Sequence, residues 1–389
     1  MGNRWVVLAV LFSIRTTMAV QFQSVATVAP LLKTDLSFSL GDIGLLIGLY
    51  SVPGIALALL SGIIGQRFGD KNTVLAGLAL MIVGGLIMAF SPSWGGQISG
   101  RVVAGIGGVL ISVLMMKMVA DYFSGKEIST AMAIFVSSWP IGIGIALLAL
   151  PPIGVVYGAS VVHLVVAALI AVGASLLLAS SYSSPSVSTA RSSGRPGLQA
   201  AMALVSAGLI WGLFNIGFAM IFSFGPSMLV ERGWSITAAG SAMSVALWLT
   251  ALATPFGGIL GDRTGRPDAV MLSSFLAIAA LLIFASRTEA VMPGIIGLGI
   301  LCGLVVGPIM SLPTLVLQPA TRAIGMGVFA SVSYVGLVLG PALGGKYATW
   351  AGGAGAAFDF GAAALLICPL VLWVFYRFQR EVNIPVSAT

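Results

Sequence analysis

Arg15 lies inside an apolar run that extends from about residue 5 to about residue 28. A charge held near the centre of a bilayer costs ~2.5 to 3.5 kcal/mol even on lenient insertion scales, so it must face water or a counter-charge. A guanidinium offers five fixed N–H donors, a fork that matches a carboxylate or another oxyanion. No Asp or Glu falls deep in any apolar run: Asp42, Asp121 and Asp359 sit near run ends, and Asp42 with Ser39 forms a capping box. Two readings stay open, an anionic substrate as the missing counter-ion or a structural arginine that bonds carbonyls or snorkels to the interface. Gln21, Gln23, Asn215 and Tyr334 are further polar groups in apolar runs, and each needs a substrate or a neighbouring helix as partner. Trp139 and Trp211 are mid-run aromatics, unlike Trp5, Trp94, Trp234 and Trp350, which suit the interfacial belt. These seven, Arg15, Gln21, Gln23, Trp139, Trp211, Asn215 and Tyr334, are the expected substrate-facing set.

Other reactive residue types carry less. Lys117 follows Arg101 by sixteen positions, roughly 160° around a helix, so the two cannot line one face. Lys117 reads as snorkelling from a run end, and Arg101 as a brace between helices. Cys302 and Cys368 lie in apolar runs without a CxxC spacing and read as inert thiols. His163 has no ligand cluster, and no nucleophile stands beside a base, so neither an enzyme, a metal site nor a cofactor is expected.

The elements that must hold these groups follow from composition. The chain is 58% hydrophobic and 7% charged, against about 25% charged in a soluble domain. Breaks in hydropathy leave runs near 5–28, 41–62, 73–91, 97–119, 129–150, 158–180, 200–223, 237–260, 269–286, 291–313, 323–346 and 355–376. Each is close to the roughly 20 residues that cross ~30 Å of hydrocarbon as a helix, which predicts an all-α membrane protein of twelve spans. A barrel would need short alternating segments, which are absent. The first run is too long for a cleavable signal and is expected to stay.

Charge asymmetry predicts orientation. Arg4, Arg67, Lys71, Lys126, Arg191, Arg195, Arg263, Arg266, Arg322, Arg377 and Arg380 fall on the side of the termini, against Lys33, Arg232, Arg287 and Lys346 on the other. Both termini are therefore expected in the cytoplasm, with the chain in a bacterial inner membrane. The net charge of +7 then reflects topology, and no nucleic-acid partner is expected. The expected partners are the lipid bilayer and a small molecule, with the chain a monomer.

The chain also repeats itself. At an offset of 196 residues and without a gap, Pro30 matches Pro226, Asp35 Glu231, Ser39 Ser235, Gly44 Gly240, Gly62 Gly258, Arg67 Arg263 and Gly69 Gly265. In a lipid-soluble chain this duplication reads as two transporter halves, not a solenoid. Residues 181–199 are rich in Ser, Pro and Gly and predict a flexible cytoplasmic linker. The expected division is a six-helix bundle over 1–180, the linker, a second bundle over 200–376 and a tail over 377–389. Arg15 aligns with Trp211, so the two are expected to face each other across the pseudo-twofold axis.

The loops Gly62-Ile-Ile-Gly-Gln66-Arg67-Phe-Gly69-Asp70-Lys71 and Gly258-Ile-Leu-Gly-Asp262-Arg263-Thr-Gly265-Arg266 resemble the G-x-x-x-D-R-x-G-R-K signature of the major facilitator superfamily. Arg101-Val-Val-Ala-Gly105-Ile-Gly107 resembles its R-x-x-x-G-x-G element, and the resemblance covers essentially the whole chain. It implies two pseudo-symmetric six-helix bundles that rock about a central site. It also implies that the signature latches one conformation, with Asp262 binding a helix N-terminus or an arginine across the halves. The first copy departs from the pattern, with Gln66 for the acid and Asp70 for a base, which predicts a weaker latch or a simple turn there. Ser137-Ser-Trp139-Pro140-Ile-Gly142 and Gly340-Pro341-Ala-Leu-Gly344-Gly345 resemble the antiporter proline-glycine motif and are read as hinges or as close crossings. The expected conformational set is Gly62, Arg67, Gly69, Arg101, Pro140, Gly258, Asp262, Arg263, Gly265, Arg266 and Pro341.

The stretch Arg-Thr-Thr-Met-Ala-Val-Gln-Phe-Gln at 15–23 is similar to cyanate and nitrate/nitrite porters of that superfamily. The expected function is therefore alternating-access transport of a small anion. The alternatives are an exporter of drugs or hydrophobic solutes, which would want an embedded acid, and a receptor that binds without transport.

Overall fold

The computed structural model describes residues 4–91, 93–123, 127–180, 196–317 and 321–382, apart from the side chains at 59, 62, 63, 66, 129, 262, 322 and 323. Among these residues there are α-helices, one short 3-10 turn and no strand. The helices are α1 (Arg4–Thr27), α2 (Ala29–Asp35), α3 (Leu40–Leu49), α4 (Val52–Phe68), α5 (Asp70–Phe90), α6 (Trp94–Tyr122), α7 (Ile128–Ala179), α8 (Leu198–Glu231), α9 (Ile236–Thr264), α10 (Pro267–Arg287), α11 (Val291–Ser311), α12 (Arg322–Ala351) and α13 (Ala356–Glu381).

These make twelve crossings. The second crossing is α3 and α4 together, interrupted at Tyr50 and Ser51. The fifth and sixth are the two parts of α7, which turns over at Gly158 with φ 84° and ψ 168°. Hydropathy ends the fifth run near residue 150, but the helix continues through Pro151 and Pro152. Pro151 cannot donate to the carbonyl of Leu147, and that oxygen instead lies against Gly240 of α9. The expected linker falls mostly on 181–195, outside the described residues; α7 ends at Ala179 and α8 begins at Leu198.

Large apolar side chains such as Phe90, Leu252, Phe256, Leu370 and Trp373 point outward. Such a surface is stable only in lipid, where the helices satisfy their own backbone groups. Corresponding ends of the repeat are capped alike: Ser39 accepts from the amide of Asp42 at 3.1 Å and Ser235 from that of Ala238 at 3.2 Å.

Helices α1 to α7 form one bundle and α8 to α13 the other. They meet where α3 and α4 pack on α12, where α7 packs on α9, and where α1 approaches α8. These pairings exchange under the repeat, so the assembly is pseudo-symmetric. On the side opposite the termini the two bundles touch backbone to backbone. A Cβ on Gly44 would strike the carbonyl of Pro341, and one on Gly345 the carbonyl of Leu40. The amide of Gly41 donates to Thr349 Oγ1 at 2.9 Å, and Lys33 pairs with Glu231 at 3.5 Å across the same seam. These contacts close the seam on the side opposite the termini.

Candidate functional site at the interface of the two bundles

Residues 15, 18 and 22 share one face of α1, since three and seven positions return close to the same direction on a helix. Along this stripe the Cα atoms of Arg15 and Phe22 are about 10 Å apart. Arg15 is 8% exposed. Its Cζ lies over the Phe135 ring of α7, 4.6 Å from the centroid, and Nη1 donates to the Phe135 carbonyl at 3.4 Å. That bond is long for N–H to O. Nε is buried and has no partner, and among the described residues no carboxylate pairs with this arginine. Its titratable neighbour is Tyr334 of α12, from the other bundle. Tyr334 in turn lies against Gly54 of α4, where a Cβ would collide with the phenol ring.

Arg101 presents the opposite case at 0% exposure. Nε donates to the Leu46 carbonyl at 3.0 Å, Nη1 to that of Gln21 at 3.0 Å and Nη2 to that of Phe22 at 2.8 Å. The Tyr50 ring packs 4.9 Å from its Cζ. This guanidinium ties α6 to α1 and α3, with each of its three nitrogens bonded to a carbonyl.

Ring contacts connect the bundles above Arg15. On α8, Trp211 stacks on Phe214 at 5.4 Å, Phe214 on Phe218 at 5.9 Å, and Phe218 meets Phe222 edge-on at 5.2 Å. Phe222 then meets Phe22 of α1 at 6.1 Å, and Phe22 meets Trp139 of α7 at 5.2 Å. The four phenylalanines are buried, while the tryptophans at both ends are half-exposed. Trp139 stands one turn from Phe135, so the run of rings ends beside the guanidinium's platform.

The expected amides are engaged elsewhere. Gln21 donates to the Met81 carbonyl at 2.8 Å, Gln23 to that of Phe222 across the bundles at 2.7 Å, and Asn215 to that of Trp211 in its own helix at 2.7 Å. The acceptor oxygens of Gln21 and Gln23 remain without partners. Sequence reasoning overlooked Phe22, Phe135, Phe218 and Phe222. A signal existed, since 214, 218 and 222 repeat every four residues and Phe22 aligns with Phe218 at the offset of 196.

Lys117 pairs with Asp70 at 2.6 Å and with Asp121 at 3.6 Å. Asp70, 2% exposed at the start of α5, is therefore the partner that sequence order hid. In the two signature loops Gly69 (φ 83°) and Gly265 (φ 62°) take backbone angles that favour glycine, which makes the reversal after α4 and after α9. Arg67 lies over Phe68, and Arg263 and Arg266 are exposed. Gly62 and the Asp262 side chain lie outside the described residues. Pro140 is buried within α7, and its neighbour Gly142 touches the Thr16 carbonyl of α1; Pro341 carries the carbonyl that Gly44 meets.

Two pseudo-symmetric six-helix bundles with lipid-facing apolar surfaces define an integral membrane protein of the transporter type. A family profile described as Major Facilitator Superfamily matches residues 11–235 and again residues 212–388, so the chain belongs to that superfamily. It is a transporter and not an enzyme. It is 23% identical over 320 residues to the inner membrane transport protein YajR of Escherichia coli, covering 78% of this chain and 68% of that one. A stretch of 123 residues is 28% identical to the multidrug transporter mfsC of Aspergillus fumigatus, covering 31% of this chain and 24% of that protein. A stretch of 105 residues is 30% identical to a bacillibactin exporter of Bacillus subtilis, covering 26% of each. These two matches thus span about a quarter of each relative's length. The fold matches the crystal structure of a bacterial homologue of the human lysosomal transporter Spinster, in an inward-facing and occupied conformation. The TM-score is 0.76 at 18% identity, covering 98% of this chain and 97% of that one.

Proposed function

We propose that this transporter carries a small anion, which docks on Arg15 at the seam and crosses as the two bundles rock about it. The observation that carries the reading is the buried Arg15 guanidinium, with an unpartnered Nε and a single long carbonyl bond. A charge in this setting gains most from a ligand that brings the opposite charge and two acceptor oxygens. Tyr334 would add a hydroxyl donor from the other bundle, so bound substrate would bridge both halves. Gln21, Gln23 and Arg101 act as fasteners around the site. The halves are divided at 181–199, with bundles over 1–180 and 200–376, and the charge asymmetry of the loops supports cytoplasmic termini in an inner membrane. The chain works as a monomer, since each half supplies one wall of the same seam.

The test is uptake of a panel of small anions into proteoliposomes by wild type, Arg15→Lys and Arg15→Gln. Loss in Arg15→Gln with partial retention in Arg15→Lys supports the reading. Equal uptake by all three overturns it.

The names of the fungal and Bacillus relatives favour a second reading, export of hydrophobic compounds. The half-exposed tryptophans suit it. Proton-driven export of cations would want an acid at the seam, and the acids of the described helices stand at helix ends. Efflux of lipophilic cations driven by a pH gradient would support this reading over the first.

A further inference from the structure

We infer that the substrate is an organic anion with a flat, aromatic body, its charge held by Arg15 and its ring received between Trp139 and Trp211. The inference rests on the anion reading above and adds what the rest of the site selects. An inorganic oxyanion needs donors on every side, but the walls around Arg15 supply few. Asn215 gives one amide N–H to the Trp211 carbonyl, and Thr16 and Ser138 bond carbonyls of their own helices. The neighbours of Arg15 itself are the rings of Phe135 and Tyr334, the second carrying one hydroxyl donor.

Those rings form a continuous path from Trp211 through Phe214, Phe218, Phe222 and Phe22 to Trp139, with successive centroids 5.2 to 6.1 Å apart. The interior of the path is buried and complete in itself. Its two ends are not: Trp139 and Trp211, one from each bundle, are only half-buried. Indole surface that remains partly uncovered would stack on a planar guest in offset or edge-on geometry. Trp139 stands one helical turn from Phe135, the ring under the Arg15 guanidinium, so an aryl group attached to the bound charge meets an indole first. Phe135 already covers one face of the guanidinium, so the N–H edge is what remains for a carboxylate.

The probes are acetate, nitrate, benzoate, 2-naphthoate and the neutral 2-naphthylmethanol, measured by thermal shift and tryptophan quenching on the purified full chain in detergent. The expected order is 2-naphthoate over benzoate, with acetate and nitrate at least tenfold weaker than 2-naphthoate. Trp139→Ala and Trp211→Ala should each weaken 2-naphthoate about tenfold without changing the unliganded melting temperature by more than a few degrees, and Trp211→Phe should recover most of the loss. If either alanine variant fails to fold, the probe ranking on wild type decides alone. Equal binding of acetate, nitrate and 2-naphthoate overturns the aromatic body and leaves the anion reading standing. Equal binding of 2-naphthoate and 2-naphthylmethanol, unchanged in Arg15→Gln, overturns the anion reading itself. Failure of both aryl anions to bind up to their solubility limits overturns the inference.

Discussion

Arg101 Nη2 donates to the carbonyl oxygen of Phe22 at 2.8 Å, so the helix that carries Arg15 is held toward its C-terminal end by a second arginine. The two guanidiniums occupy similar apolar surroundings and differ in one respect: Arg101 makes three short carbonyl bonds and Arg15 one long one. One fastens and the other is left with capacity.

Arg15→Gln removes the charge and most of the donors. Anion affinity should fall by roughly thirtyfold, about 2 kcal/mol, the order expected for a lost charge-assisted hydrogen bond in a dry site. Isothermal titration of detergent-purified protein checks this, and Arg15→Lys should fall between the two.

Arg101→Leu should behave differently. It removes bonds to α1 and α3 at once and should cost ~3 kcal/mol of stability, read as a lower melting temperature with no ligand present. Lysine cannot reproduce the planar fork and should recover less than half of the loss.

For the seam opposite the termini, Gly44→Val places side-chain atoms against the Pro341 carbonyl. The bundles must separate there, because the obstacle is backbone on a packed helix and cannot rotate away. Spin labels at Asp35 and Ala351 should report a longer distance than in the parent, and transport should fall by about tenfold or more. An unchanged distance with full transport would falsify this account of the seal.

Lys117→Met leaves buried Asp70 without its cation and should destabilise by ~3 kcal/mol, whereas the double change with Asp70→Leu should cost less than the single. A double-mutant cycle of melting temperatures measures the coupling. Additive effects would mean that the 2.6 Å pair contributes nothing.

Several of these relationships were hidden in the sequence for definable reasons. Asp70 and Lys117 lie 47 positions apart, and the loop position of Asp70 looks solvent-exposed until α6 packs beside it. Phe135 falls in an apolar run where one phenylalanine resembles the next, and only its place under Arg15 distinguishes it. The turn at Gly158 was displaced by Pro151 and Pro152, which look like a helix end but are carried within α7 because the freed Leu147 carbonyl packs on α9.

Hydropathy, span length and the offset of 196 residues were enough for the all-α membrane class, the twelve crossings and the duplicated bundles. Those are local or periodic properties, imposed by the thickness and dryness of lipid on any segment by itself. What distinguishes Arg15 from Arg101 is not local. The carbonyls that satisfy Arg101 come from residues 55 to 80 positions away, and the rings beside Arg15, Phe135 and Tyr334, come from helices of different bundles. Tertiary packing alone decided which buried guanidinium bonds three carbonyls and which keeps an unpartnered Nε.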